Sequence, residues 1–156
     1  MTRSSRPHPA SRKGGRKPLT KEMLLPLPVA KVRAMSLENH LALVAMHNGN
    51  GNDNQMSCLL KVVYLAYFLH DGEPGQTGIE VFRAAEAVLE RSVTRAENRL
   101  GWSLPDDDHA LFQGILALHD RQLDAVPAHL FTAAWERLQR FANSDAQSPL
   151  PPAESA

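Results

Sequence analysis

The sequence predicts an all-α fold, a bundle of about five helices, and three observations carry that expectation. Apolar residues recur at spacings of three and four along several long segments. Most glycines and prolines fall between those segments rather than inside them. The apolar stretch QMSCLLKVVYLAYFLHD, residues 55–71, is longer than an ordinary strand.

At 156 residues the chain can fold around one core without disulfides or a structural metal. Its single cysteine, Cys58, gives no disulfide framework and fits a reducing compartment. Beside Leu59 and Leu60 it reads as a small buried hydrophobe. The longest apolar run, Val62 to Leu69, falls well short of the roughly 18 residues that span a bilayer. The N-terminus has charges but no apolar segment after them, so a secretory signal is not expected. A cytoplasmic protein without membrane contact follows.

The net charge of zero conceals an asymmetry. Residues 1–33 hold nine Lys and Arg against one acid, and residues 34–156 hold eight against sixteen acids. Residues 1–22 combine Ser, Pro, Gly, Arg and Lys with almost nothing to bury, so packing cannot offset the entropy of ordering them. They are expected to form a disordered basic arm. Residues 23–143 form the helical bundle, and the Pro/Ser-rich residues 144–156 a flexible tail.

Within the bundle, Pro26 and Pro28 interrupt any helix and hold Leu25 and Leu27 extended, with Pro28 placed to open a helix. Ser36 offers an N-cap for LENHLALVAMH, whose Leu37, Leu41, Val44 and His47 share one face, expected to be the buried one. Residues 55–71, apolar nearly all round apart from Lys61, suit a central helix contacted on several sides, although their Val, Tyr and Phe content also suits a buried strand. After the linker DGEPGQTG a long amphipathic helix opens at Thr77 or Gly78 and is closed by Gly101. Its stripe is Ile79, Phe82, Ala85, Leu89, Val93, Ala96 and Leu100. Ser103 and Pro105 start the next helix, with Asp106, Asp107 and Asp108 at the positive end of its dipole and Leu111, Ile115, Leu118 and Leu123 on its face. Pro127 starts the last, with Leu130, Phe131, Ala134, Leu138 and Phe141 as its stripe.

The string HNGNGNDN, residues 47–54, looks like a metal or phosphate loop. The Ca²⁺-loop spacing fails, because counting from Asn48 puts Asp53 where glycine is needed and Leu59 where glutamate is needed. The dinucleotide fingerprint fails as well, for Gly49-Asn50-Gly51 lacks its third glycine and follows a helix. Gly49 as a helix C-cap and Asn52, Asp53 or Asn54 as the next N-cap explain the string without a ligand. The glycines of DGEPGQTG lack the lysine of a phosphate loop, and a solvent-exposed turn is the preferred reading. None of the seven histidines has HxxxH or HExxH spacing, so no metal is expected. No Ser or Cys has the surroundings of a nucleophile, so no catalytic residue, no cofactor and no enzyme activity is expected.

Binding chemistry remains. RKGGRKP, with Arg12, Lys13, Arg16 and Lys17, is a short flexible cationic segment suited to phosphates or to a minor groove. It resembles part of an AT-hook, with Gly14 standing where that motif has its first Arg and Lys17 inserted before Pro18. Arg91, Arg95 and Arg99 follow one another at four-residue spacing, a repulsive row that nucleic acid or the Asp106–Asp108 cluster would neutralise. The last two helices also admit a helix-turn-helix, with His129, Thr132, Arg137 and Arg140 outward.

MSLENHLALVAMHNGNG followed by LLKVVYLAYFL, within residues 35–69, resembles short proteobacterial proteins labelled Fis-like transcriptional regulators. The resemblance implies DNA binding. The helix-turn-helix of Fis lies at its very C-terminus, where this chain has its Pro/Ser-rich tail, so no site residue is carried over. Two roles are therefore expected: a DNA-associated accessory or regulatory protein that uses the arm, or a protein-interaction module, homodimeric through an exposed apolar face, with a tail that only solubilises.

Overall fold

A computed structural model of the chain describes residues 15–70 and 78–153, and among these it is all helical. Six helices follow in order: α1 (Lys21–Leu24), α2 (Val29–His47), α3 (Asp53–His70), α4 (Ile79–Glu97), α5 (Asp106–Ala125) and α6 (Ala128–Ala142). The five long ones make the bundle that the periodicity predicts. No helix among the described residues is long and apolar enough to cross a membrane.

α3 is the axis. It buries Met56, Cys58, Leu59, Phe68 and every residue from Val62 to Ala66, and it packs against α2, α4, α5 and α6. Removing so much apolar surface from water is the main favourable term in the fold. Phe82, Leu89, Phe112, Ile115 and Leu116 close around it from α4 and α5. A second, smaller cluster of Leu27, Val32, Leu123 and Phe131 fastens the start of α2 to α5 and α6. There the Leu25 carbonyl accepts from the Ala128 N–H at 2.8 Å, tying the Pro26 segment to the turn before α6.

The glycine-asparagine string joins two helices, as its backbone chemistry predicts. Asn50 N–H reaches the Ala45 carbonyl at 2.9 Å and Gly49 N–H the Met46 carbonyl at 3.3 Å, with Gly49 at φ +75°, a Schellman end for α2. Asn52 Oδ1 then accepts from the N–H groups of Asn54 and Gln55, while Gln55 Oε1 accepts from Asn52 N–H at 2.9 Å. That reciprocal pair is a capping box for α3.

Several sequence expectations are corrected. α2 is one continuous helix from Val29, with Ser36 in its interior rather than at an N-cap. Its buried side is Val32, Asn39, Ala42, Leu43 and Met46, so Leu37, Leu41 and Val44 face outward. α4 ends at Glu97, three residues before Leu100, and the left-handed residue of its Schellman end is Arg99 at φ 61°, not Gly101. Leu100 is accordingly off the stripe and 71% exposed.

At the chain ends, Thr20 caps α1, so the first helix among the described residues begins at Lys21, just before the expected boundary at residue 23. From residue 144 to 153 the chain has no helix or strand, yet it is anchored. Leu150 is 7% exposed within the main core, Ser148 Oγ donates to Glu86 Oε2 at 2.6 Å, and Arg83 Nη2 donates to the Pro151 and Pro152 carbonyls at 2.8 and 2.9 Å. The packed body therefore extends into the segment expected to be loose, because one leucine finds an apolar socket there.

Candidate functional site

Arg12 and Lys13 lie outside the described residues. Arg16 and Lys17 are exposed on irregular chain ahead of α1, and neither has a carboxylate partner among the described residues. The second basic row does not form. Arg95 turns inward to donate to the Ser103 carbonyl and hydroxyl, holding the α4–α5 connection. Arg91 lies 3.8 Å from Asp108, one member of the acidic cluster that opens α5. Arg99, past the helix end, points from a left-handed residue and no longer shares their face.

The helix-turn-helix face also dissolves. Arg137 lies over the Phe68 ring at 4.3 Å instead of pointing outward, and the His129 ring Nδ1 donates to the Met23 carbonyl at 2.8 Å. Only Thr132 and Arg140 of that set remain fully exposed.

The histidines are distributed as packing and pairing groups. His40 Nε2 meets Asp120 at 2.7 Å and His47 Nδ1 approaches Asp106 at 3.7 Å, so two imidazoles of α2 are matched to two carboxylates of antiparallel α5. The His47 ring also lies against that of His109, centroids 4.0 Å apart and the planes tilted by 34°. Among the described residues no three His, Cys, Asp or Glu side chains gather as metal ligands.

Two separate polar pairings lie within the bundle, one between α2 and α3 and one between α3 and α5. Cys58 Sγ donates to Asn39 Oδ1 at 3.4 Å, and burial pushes the thiol pKa up. Gln122 Nε2 donates to the Ala66 carbonyl at 3.0 Å, which orients the amide so that its Oε1 accepts from His119 Nδ1 at 3.3 Å. His119 is thereby the Nδ1–H tautomer, and its Nε2 lone pair is buried without a partner. Burial lowers its pKa, which keeps the ring neutral.

The outer face of α2 is the feature without an internal explanation. Leu37, Leu41 and Val44 are 60%, 59% and 51% exposed, on a helix whose opposite side is already core. Large aliphatic side chains that line up on one exposed stripe mark an interaction surface more often than scattered single ones do. With Ala30, Ala34 and Asn48 they follow spacings of four and three, the a/d pattern of a two-helix seam. A shallow groove of about 440 Å³, lined by Ala34, Leu37, Leu41, Gln55 and Cys58 among others, runs beside the stripe toward α3. Periodicity identified the residues of this stripe but assigned them to the wrong side.

Comparisons with protein-family models, with curated proteins and with solved structures find no match to the chain.

Proposed function

We propose that this chain is a non-catalytic interaction module that self-associates through the outer face of α2 and carries a cationic arm. The observation that carries the reading is the exposed Leu37, Leu41 and Val44 stripe at seam spacing. Self-association fits because the pattern is complementary to itself. In an antiparallel two-fold pair centred on Asn39, Leu37 faces Leu41 of the second copy and Ala34 faces Val44, large against small.

Magnitudes make this a weak dimer. Completing the burial of each half-exposed aliphatic side chain contributes about 1 kcal/mol, half the range for full burial. Six such side chains give roughly 6 kcal/mol, against an association cost of at least about 4 kcal/mol. The dimer should therefore dissociate on dilution. Sedimentation equilibrium of the full chain over a hundredfold concentration range tests it. A monomer–dimer equilibrium in the wild type that is lost in Leu37→Glu/Leu41→Glu, with the helical signal unchanged, is expected. A wild type that stays monomeric at the highest concentration contradicts the reading.

A second reading is supported by the exposure of Arg16 and Lys17: a DNA-associated accessory or regulatory protein in which Arg12, Lys13, Arg16 and Lys17 contact phosphates, located in the cytoplasm. The two readings combine, since a dimer carries two arms and raises the effective concentration of the second once the first is bound. Gel shifts on duplex DNA at several salt concentrations decide it. Affinity should fall steeply with salt and largely vanish on deleting residues 1–19, which spares the Thr20 cap. Equal, negligible binding by both proteins would end the DNA reading and leave the dimer untouched.

A further inference from the structure

α5 and α6 both pack on α3 but scarcely touch each other, so beyond the Pro127 turn they diverge and leave a groove of about 750 Å³ between them. Phe68 and Leu69 of α3, Leu118 of α5 and Leu130 of α6 supply its apolar surface. Arg121 stands on the α5 side, and Arg137 and Arg140 on the α6 side. Three of the eight Lys and Arg residues in the acidic body, residues 34–156, thus line one groove, and none of its lining residues is an acid. Neither Arg121 nor Arg140 has a carboxylate partner among the described residues. Arg137 is fixed over the Phe68 ring, which aligns one guanidinium along the floor.

We propose that this groove binds an acidic amphipathic helix of a partner protein, with the helix's apolar face on Leu69, Leu118 and Leu130 and its flanking carboxylates on Arg121 and Arg140. Charge complementarity selects the occupant, because a cleft lined by three arginines and no acid attracts an anionic partner. Shape selects a helix. The groove is open along one side and follows α6 from Pro127 to Arg140, about 20 Å at 1.5 Å per residue, which suits a helix laid between two diverging helices. A long-chain carboxylate would need a more enclosed cavity to bury most of its surface. The proposal is independent of the α2 stripe, which it does not use.

Fluorescence anisotropy of a labelled helical peptide with Leu at i, i+3 and i+7 and Glu along both flanks, titrated with the full chain, tests it. Binding that weakens with salt, and that falls about tenfold in Arg121→Gln/Arg140→Gln with unchanged thermal stability, is expected, about one charge-assisted bond's worth. A sister peptide with Lys flanks should not bind. Leu130→Ala, at a half-exposed floor position, should weaken binding as well. The proposal is overturned by equal binding of the two peptides, by an affinity indifferent to the arginine substitutions, by decanoate displacing the Glu peptide at submicellar concentration, or by loss of self-association in Arg121→Gln/Arg140→Gln, which would assign the groove to a second copy.

Discussion

Gly51 shows how a residue's reason can lie far from its neighbours in sequence. A Cβ there would overlap the thioether of buried Met46 and stand 3.1 Å from the Trp102 carbonyl oxygen, so the packed end of α2, with the α4–α5 connection close beside it, fixes this glycine. Gly49, with φ +75°, is needed for its backbone alone, and that requirement was legible because helix ends favour glycine in the left-handed region. The Arg99 cap was not legible, since arginine in that region carries a strain of about 1–2 kcal/mol and Gly101 stood two residues away. His119 was not singled out from sequence either, because a buried neutral imidazole depends on the amide of Gln122 one turn later. Its lowered pKa gives a signed pH dependence. The unfolded chain takes up a proton near the ordinary value of 6.5 that the folded chain refuses, so this contribution to stability is complete above that pH and is lost as pH falls toward the folded value. Urea unfolding of the wild type and His119→Leu at pH 8 and pH 5 measures it. The stability difference between the two proteins should shift in favour of the variant at the lower pH.

Among the elements, α4, α5 and α6 were readable because each has one apolar stripe and one polar face. Phe82, Ala85 and Leu89, then Ile115 and Leu123, then Phe131, Ala134 and Leu138 are all buried as their spacing predicts. α2 was readable as a helix but not in its orientation, because Leu37, Leu41 and Val44 on one side and Ala42, Leu43 and Met46 on the other are equally apolar. Periodicity cannot choose between two apolar faces. The choice is made in part by Asn39 and His40, whose polar atoms meet Cys58 and Asp120 only in the observed rotation. The tail was misjudged for the opposite reason, since composition averages over a segment while anchoring depends on one residue. Leu150 is buried in the main core, and Glu86 below it accepts from both Tyr64 and Ser148. Leu150→Ala should cost about 2–3 kcal/mol in urea unfolding, near the lower end for a buried leucine because the tail can partly relax. An unchanged midpoint would show the anchor to be dispensable.

At the scale of the whole molecule, the contrast between a basic arm and an acidic body was plain in the sequence. Neither the outward face of α2 nor the arginine-lined groove could be read there, because both arise from what the helices leave uncovered. In the proposed dimer two copies meet antiparallel along α2. Thiol trapping tests that geometry most directly, because the native Cys58 is buried and its thiol is held protonated. Ala34 and Val44 lie ten residues apart on one helix, about 15 Å, too far for a short cross-linker within one chain. In the two-fold pair each faces the other across the seam. A protein carrying both Ala34→Cys and Val44→Cys should be captured as a covalent dimer by a short bis-thiol reagent, while Ala34→Cys alone, Val44→Cys alone and the wild type should give no covalent dimer. Efficient capture of either single variant, or none of the double one at a concentration where the wild type sediments as a dimer, would contradict the antiparallel α2 interface.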